Sequence, residues 1–83
     1  MNVEQKVKEI LLDILDIKEE EIVPSATFID DLKATSIDLV EILTAFQNAF
    51  DINIDESQAS KLRTVQDAID LLKSAIAQKE AHS

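Results

Sequence analysis

The chain has 83 residues, and its 17 acidic against 8 basic side chains give a net charge of −9. That length suits one domain with a modest core, and that charge repels nucleic-acid phosphates and anionic membrane surfaces, so basic proteins are the expected partners. Cysteine and glycine are both absent, which excludes disulfides, cysteine metal sites and any glycine-rich phosphate loop. An acidic composition can mean disorder, but 46% hydrophobic residues in clear periods argue for a folded domain. The apolar runs are too short for a membrane span and the start of the chain lacks a secretory pattern, so a cytoplasmic protein is expected.

From Asn2 to about Asp16, Val3, Val7, Ile10, Leu11, Ile14 and Leu15 recur at three- and four-residue spacings and form one apolar stripe. This predicts the first helix, with Lys6, Lys8, Glu9 and Asp13 on its wet side. Over residues 17–35 the period is lost, and Pro24 forbids a helix interior, so a long loop is predicted. Ile17, Ile22, Val23, Phe28 and Leu32 are the apolar residues expected to pin that loop to the core. The run Glu19-Glu20-Glu21 reads as a solvated surface rather than a cation site.

The second helix is predicted from Ser36 to about Phe50, with Thr35 as N-cap and Asp38 three residues on completing a capping box. Val40, Leu43, Phe46, Ala49 and Phe50 form one broad face, which Ile37, Leu39 and Ile42 widen. A helix so nearly apolar all round is either central in the fold or exposes a strip for docking. Asp38 and Glu41 lie in its first turns, where the helix dipole favours negative charge. Ser36 sits where unpartnered backbone N–H groups and that dipole favour an anion. Taken alone, though, a serine at a helix start is more often a cap than a site.

Residues 51–55 alternate polar and apolar but are too few for a sheet, so an extended segment is expected. Asp51, Asn53, Asp55 and Ser57 mimic the first ligands of a calcium loop, yet Glu56 and Leu62 stand where glycine and a bidentate glutamate are required. No metal site is therefore expected. Residues 57–61 suit one short helical turn. Thr64 and Asp67 repeat the cap spacing, and Val65, Ala68, Ile69, Leu72 and Ile76 carry a last helix to about Gln78. Residues 79–83 are expected to fray, with the single histidine, His82, among them. No Ser-His-Asp set and no paired-histidine motif is present, so the chain is not expected to be an enzyme. The prediction is an all-α fold of three main helices and one short one in a single domain, 1–83.

In this order the stretches resemble the acyl carrier protein family. Phe28-Ile29-Asp30-Asp31-Leu32 is similar to the family's approach to its Asp-Ser-Leu motif, and Ser36-Ile37-Asp38-Leu39-Val40-Glu41 to the motif and second helix. Phe50-Asp51 with Ile54 resembles the end of that helix, and Thr64-Val65-Gln66-Asp67-Ala68-Ile69 the start of the last one. The resemblance implies a small acidic bundle whose Ser36 bears 4′-phosphopantetheine from coenzyme A, the long arm supplying the thiol that the chain lacks. It implies a transferase and acyl-processing enzymes with basic docking patches as partners, a monomeric state, and recognition through Thr35, Ile37, Asp38, Val40 and Glu41. By residue matching, Phe28, Leu39, Phe46, Ile54, Ala59, Leu62, Ala68 and Leu72 would line a space for the acyl chain.

Several residues depart from the family pattern. Thr35 replaces the usual Asp, Lys33 the usual Gly and Ile37 the usual Leu, while Gln47, Asn48 and Ala49 stand at commonly acidic positions. Phe46 stands where a smaller aliphatic residue is common, which implies a reduced or reshaped cavity. These changes suggest a specialised carrier. The alternative is an unmodified, carrier-like acidic module that docks basic partners without a prosthetic group.

Overall fold

A computed structural model of the chain describes residues 2–81. Helix α1 runs over Val3–Ile14, α2 over Ser36–Phe50, the short α3 over Glu56–Ala59 and α4 over Val65–Ala81. The described residues contain no strand, and a single 3₁₀ turn, Glu19–Glu21, lies in the long first connection. The fold is therefore the all-α bundle expected from the sequence, with three main helices and one short one.

Helix α1 buries Val3, Val7, Ile10 and Leu11 on the predicted stripe. Asn2 caps it, its side-chain oxygen accepting the Gln5 N–H at 2.9 Å. α1 packs on α2 and α4, which also pack on each other. Among the described residues the three helices share one apolar cluster with Phe28, Phe46, Leu32, Ile42 and Leu72 at its centre.

In α2 the buried residues are Ile42, Phe46 and Phe50, one turn apart, with Leu39, Ala45 and Ala49 packed beside them. Val40 is 63% exposed and Ile37, one turn before it, 73% exposed, so these two form an exposed apolar strip while Phe46 and Phe50 of the broad face turn inward. The helix is apolar on nearly every side, so periodicity alone did not fix which stripe faces inward.

The first connection is pinned by Ile22, Phe28 and Leu32, with Ile17 half-buried. Val23, expected among the pins, is 45% exposed; Ala26 and Ala34 are the further buried residues. This loop also meets the α4 start through backbone pairing. Thr27 and Thr64 form an isolated antiparallel bridge. Phe28 N–H donates to Arg63 O at 3.0 Å, Val65 N–H to Ala26 O at 3.0 Å and Gln66 N–H to Pro24 O at 3.0 Å. Two first-turn donors of α4 thus find acceptors in a segment far away in sequence. A third, the Asp67 N–H, goes to the Thr64 hydroxyl at 3.1 Å, while the Asp67 carboxylate accepts the Thr64 N–H at 3.1 Å.

The triple-glutamate run has local structural tasks. Glu21 accepts the Lys18 N–H at 3.0 Å, and Glu19 lies 3.9 Å from the Lys8 ammonium. The short helix begins one residue earlier than expected, because the Asp55 side chain caps it by accepting the Gln58 N–H at 2.9 Å and the Ser57 hydroxyl at 2.7 Å. Helix α4 continues through Ala81, beyond the expected end at Gln78. Lys79 holds that last turn to the end of α2, its ammonium donating to the Asp51 carboxylate at 2.7 Å and carbonyl at 3.0 Å. His82 lies outside the described residues.

The same contacts set an acid response. The Asp51 carboxyl is held below its ordinary value by the Lys79 hydrogen bond and charge, and Asp55 by the Gln58 N–H and Ser57 hydroxyl. A lowered folded-state pKa contributes stability above the unfolded value, near 4, and that stability is lost as pH falls through the folded one. The Glu4 carboxyl is lowered likewise by its Lys73 hydrogen bond, so residue-resolved hydrogen exchange below about pH 4 is expected to show α3, the Lys79–Asp51 tie and the Lys73–Glu4 tie loosening before the buried core. Uniform loss of protection across all helices would contradict this.

Candidate functional site

The start of α2 is built from two turns. In the first, the Asp31 carboxylate accepts the Thr27 N–H at 2.8 Å and the Thr27 hydroxyl at 3.2 Å, while the Asp31 N–H donates to that hydroxyl oxygen at 3.1 Å. The Ala34 N–H then donates to Phe28 O at 2.8 Å, which brings the chain back beside Phe28. Between these bonds Lys33 adopts φ = 60°, a left-handed conformation that glycine takes freely and that costs a residue with a Cβ about 1 kcal/mol.

The second turn is the capping box that the sequence predicts. The Thr35 hydroxyl accepts the Asp38 N–H at 3.1 Å, and the Asp38 carboxylate accepts the Thr35 N–H at 3.0 Å. Because Thr35 is the cap, Ser36 is the first helical residue, and its side chain is exposed. The box uses the Asp38 N–H and leaves the Ser36 and Ile37 N–H groups outside it. A hydroxyl, two backbone donors and the positive end of a 15-residue helix dipole therefore meet at one exposed point. That arrangement fits a group joined to Ser36 through an anionic phosphodiester.

A family model for the phosphopantetheine attachment site matches residues 5–72. The acyl carrier protein of Buchnera aphidicola from Schizaphis graminum is 49% identical over 71 residues, 86% of this chain and 90% of the relative. The corresponding protein of Buchnera aphidicola from Acyrthosiphon pisum, strain Tuc7, is 46% identical over 72 residues, 87% and 90% of the two chains. This chain belongs to the acyl carrier protein family. It is a non-catalytic carrier whose prosthetic group is covalently bound 4′-phosphopantetheine.

The five surface residues singled out by resemblance differ in what this carrier leaves free. Ile37, Val40 and Glu41 are exposed, as is Thr35. Asp38 is half-buried, and one of its carboxylate oxygens is committed to the cap. The eight residues matched to the acyl space separate into two groups. Phe28, Phe46, Ala68 and Leu72 are fully buried in the core. Leu39, Ile54 and Leu62 are half-buried against it, and Ala59 is half-buried on α3. Leu62 also borders a surface depression of about 380 Å³ with Thr27, Ile29, Asp30, Arg63 and Thr64.

Sequence reasoning noted Gln47 only as a missing acid. Its side-chain oxygen accepts the Ile54 N–H at 3.0 Å and its amide donates to Leu43 O at 3.3 Å. A glutamate could accept the first bond but, ionised, could not donate the second. The clue in the sequence is an amide nearly one turn before the helix end, seven residues before a backbone N–H that needs an acceptor.

Proposed function

We propose that this carrier holds acyl groups on a 4′-phosphopantetheine arm attached to Ser36 and delivers them to partner enzymes of fatty-acid, polyketide or related specialised biosynthesis. The observation that carries the reading is the exposed Ser36 hydroxyl, relieved of capping duty by Thr35 at the start of α2. Loading joins the Ser36 oxygen to the pantetheine-bearing phosphorus of coenzyme A and releases the adenine-nucleotide half. When bound, the arm supplies a terminal thiol that carries the acyl group as a thioester.

The chain's own residues present that arm. The leftover N–H groups of the first turn stabilise the phosphodiester charge, and the Thr35–Asp38 box fixes the helix start against which it hangs. Ile37, Val40 and Glu41 offer an apolar strip beside a carboxylate to basic partner surfaces, where charge mainly tunes association rate and specificity. Gln47 and Lys33 make this face less acidic, which supports service to a restricted set of enzymes. The setting proposed is the cytoplasm, with the carrier acting as a monomer.

Incubation with coenzyme A and a phosphopantetheinyl transferase, followed by peptide mass spectrometry, tests the reading. Phosphopantetheine on the Ser36 peptide is the expected result. No mass gain with any of several transferases would overturn it in favour of an unmodified docking module.

A further inference from the structure

Lys33 is a primary amine held beside the attachment point. Leu32 and Ala34 on either side of it are buried, and the Ala34 N–H is bonded to Phe28 O at 2.8 Å, so the turn is anchored while Lys33 is exposed. Its backbone is left-handed, with φ = 60°, where glycine would sit without strain, so the amine is kept at a cost. Only Ala34 and Thr35 separate it from Ser36, and the two Cα atoms are at most about 11 Å apart.

Three other lysines, Lys8, Lys73 and Lys79, are tied to Glu19, Glu4 and Asp51. Among the described residues the Lys33 ammonium has no hydrogen-bond or ion-pair partner, although the exposed Asp30 and Asp31 share its loop. Asp31 is committed to Thr27. The Lys33 side chain is therefore free to sweep the space around Ser36. A thioester on an arm hung from Ser36 is confined to that same space. Groups joined through a short flexible tether meet at an effective concentration of about millimolar order, without any fixed contact between them.

We propose that Lys33 is an acyl acceptor, a second acyl-bearing residue beside Ser36. The Lys33 amine attacks the carbonyl carbon of the thioester; the C–N bond forms, the C–S bond breaks, and the amine proton passes to the departing sulfur. The products are N-acylated Lys33 and the free thiol, and no further reactant is consumed. An acyl group that no enzyme collects thus leaves the arm, the thiol is restored, and a positive charge three positions before Ser36 is lost. This rests on Ser36 carrying acyl groups as thioesters and adds the residue that competes for them.

The test loads the chain from butyryl-coenzyme A with a transferase that accepts it, removes the excess, and incubates. Hydroxylamine then cleaves the remaining thioester, and peptide mass spectrometry locates the butyryl amides. Butyrylated Lys33 is expected at about tenfold the level of the other exposed lysines, Lys18 and Lys61, in a yield independent of protein concentration. Lys33→Arg keeps the charge but offers no amine that gives up its proton, and should lose the adduct. Ser36→Ala, kept with butyryl-coenzyme A, should label Lys33 no more than Lys18 or Lys61.

A butyryl thioester that forms but leaves no amide on Lys33, or label spread evenly over the lysines, would overturn the proposal. So would a Lys33 signal that Ser36→Ala retains, or a yield that rises with protein concentration. A wild-type chain that forms no butyryl thioester at all would instead overturn the carrier reading beneath it.

Discussion

Ser36→Ala is expected to abolish phosphopantetheine loading while leaving the fold and its melting transition nearly unchanged. The change removes the one oxygen placed to form the phosphodiester, so the loss of mass gain should be complete rather than partial. It removes no cap, because the hydroxyl that accepts the Asp38 N–H belongs to Thr35. Alanine is also the better helix former, so the stability change should stay under about 1 kcal/mol. Thr35→Ala is the reciprocal case: it keeps the Ser36 hydroxyl but breaks the box, at a cost of about 1 kcal/mol. Mass spectrometry and thermal melts on the two variants separate chemistry from capping. Loading of Ser36→Ala at another hydroxyl, or a large fall in its melting temperature, would refute the assignment.

The parts of the fold legible from the sequence are those governed by local rules. Both Thr-x-x-Asp boxes, Thr35 with Asp38 and Thr64 with Asp67, fixed their helix starts, and the α1 stripe fixed its inner face. What escaped depends on partners far away in sequence. The Thr27–Thr64 bridge and the Lys79–Asp51 tie join segments 37 and 28 positions apart, and local periodicity carries no record of such contacts. The Lys79 bonds also explain why α4 outruns its expected end.

The inward stripe of α2 was open for a different reason. In a helix apolar on every side, several stripes satisfy the same period, and only α1 and α4 select the one bearing Ile42, Phe46 and Phe50. The left-handed turn at Lys33 was hidden because a lysine does not advertise positive φ. Its one trace was that the resemblance places glycine there.

Phe46→Ala is expected to cost about 3–5 kcal/mol, enough to leave a small domain partly unfolded near physiological temperature. Phe46 is 0% exposed, so truncation leaves a void in the shared core that neighbours fill only in part. Denaturant unfolding of the unmodified chain gives the number directly, and a cost under about 1 kcal/mol would mean that the core collapses around the gap. Phe46→Leu retains most of the volume and should cost roughly 1–2 kcal/mol, so that variant can be loaded and acylated.

The proposed acyl space gives the leucine variant a second readout. Leu39, Ile54, Ala59 and Leu62 are half-buried, whereas Phe46, Phe28, Ala68 and Leu72 are fully buried. On the acyl space implied by the resemblance, an acyl chain would enter past the first group and stop at Phe46, so the wild-type carrier should shield only short chains from thioester cleavage. Replacing the ring by leucine relieves that stop and should extend protection by roughly one or two methylenes. Full protection of long chains by the wild-type protein, or an unchanged length limit in Phe46→Leu, would place the acyl chain somewhere other than behind these residues.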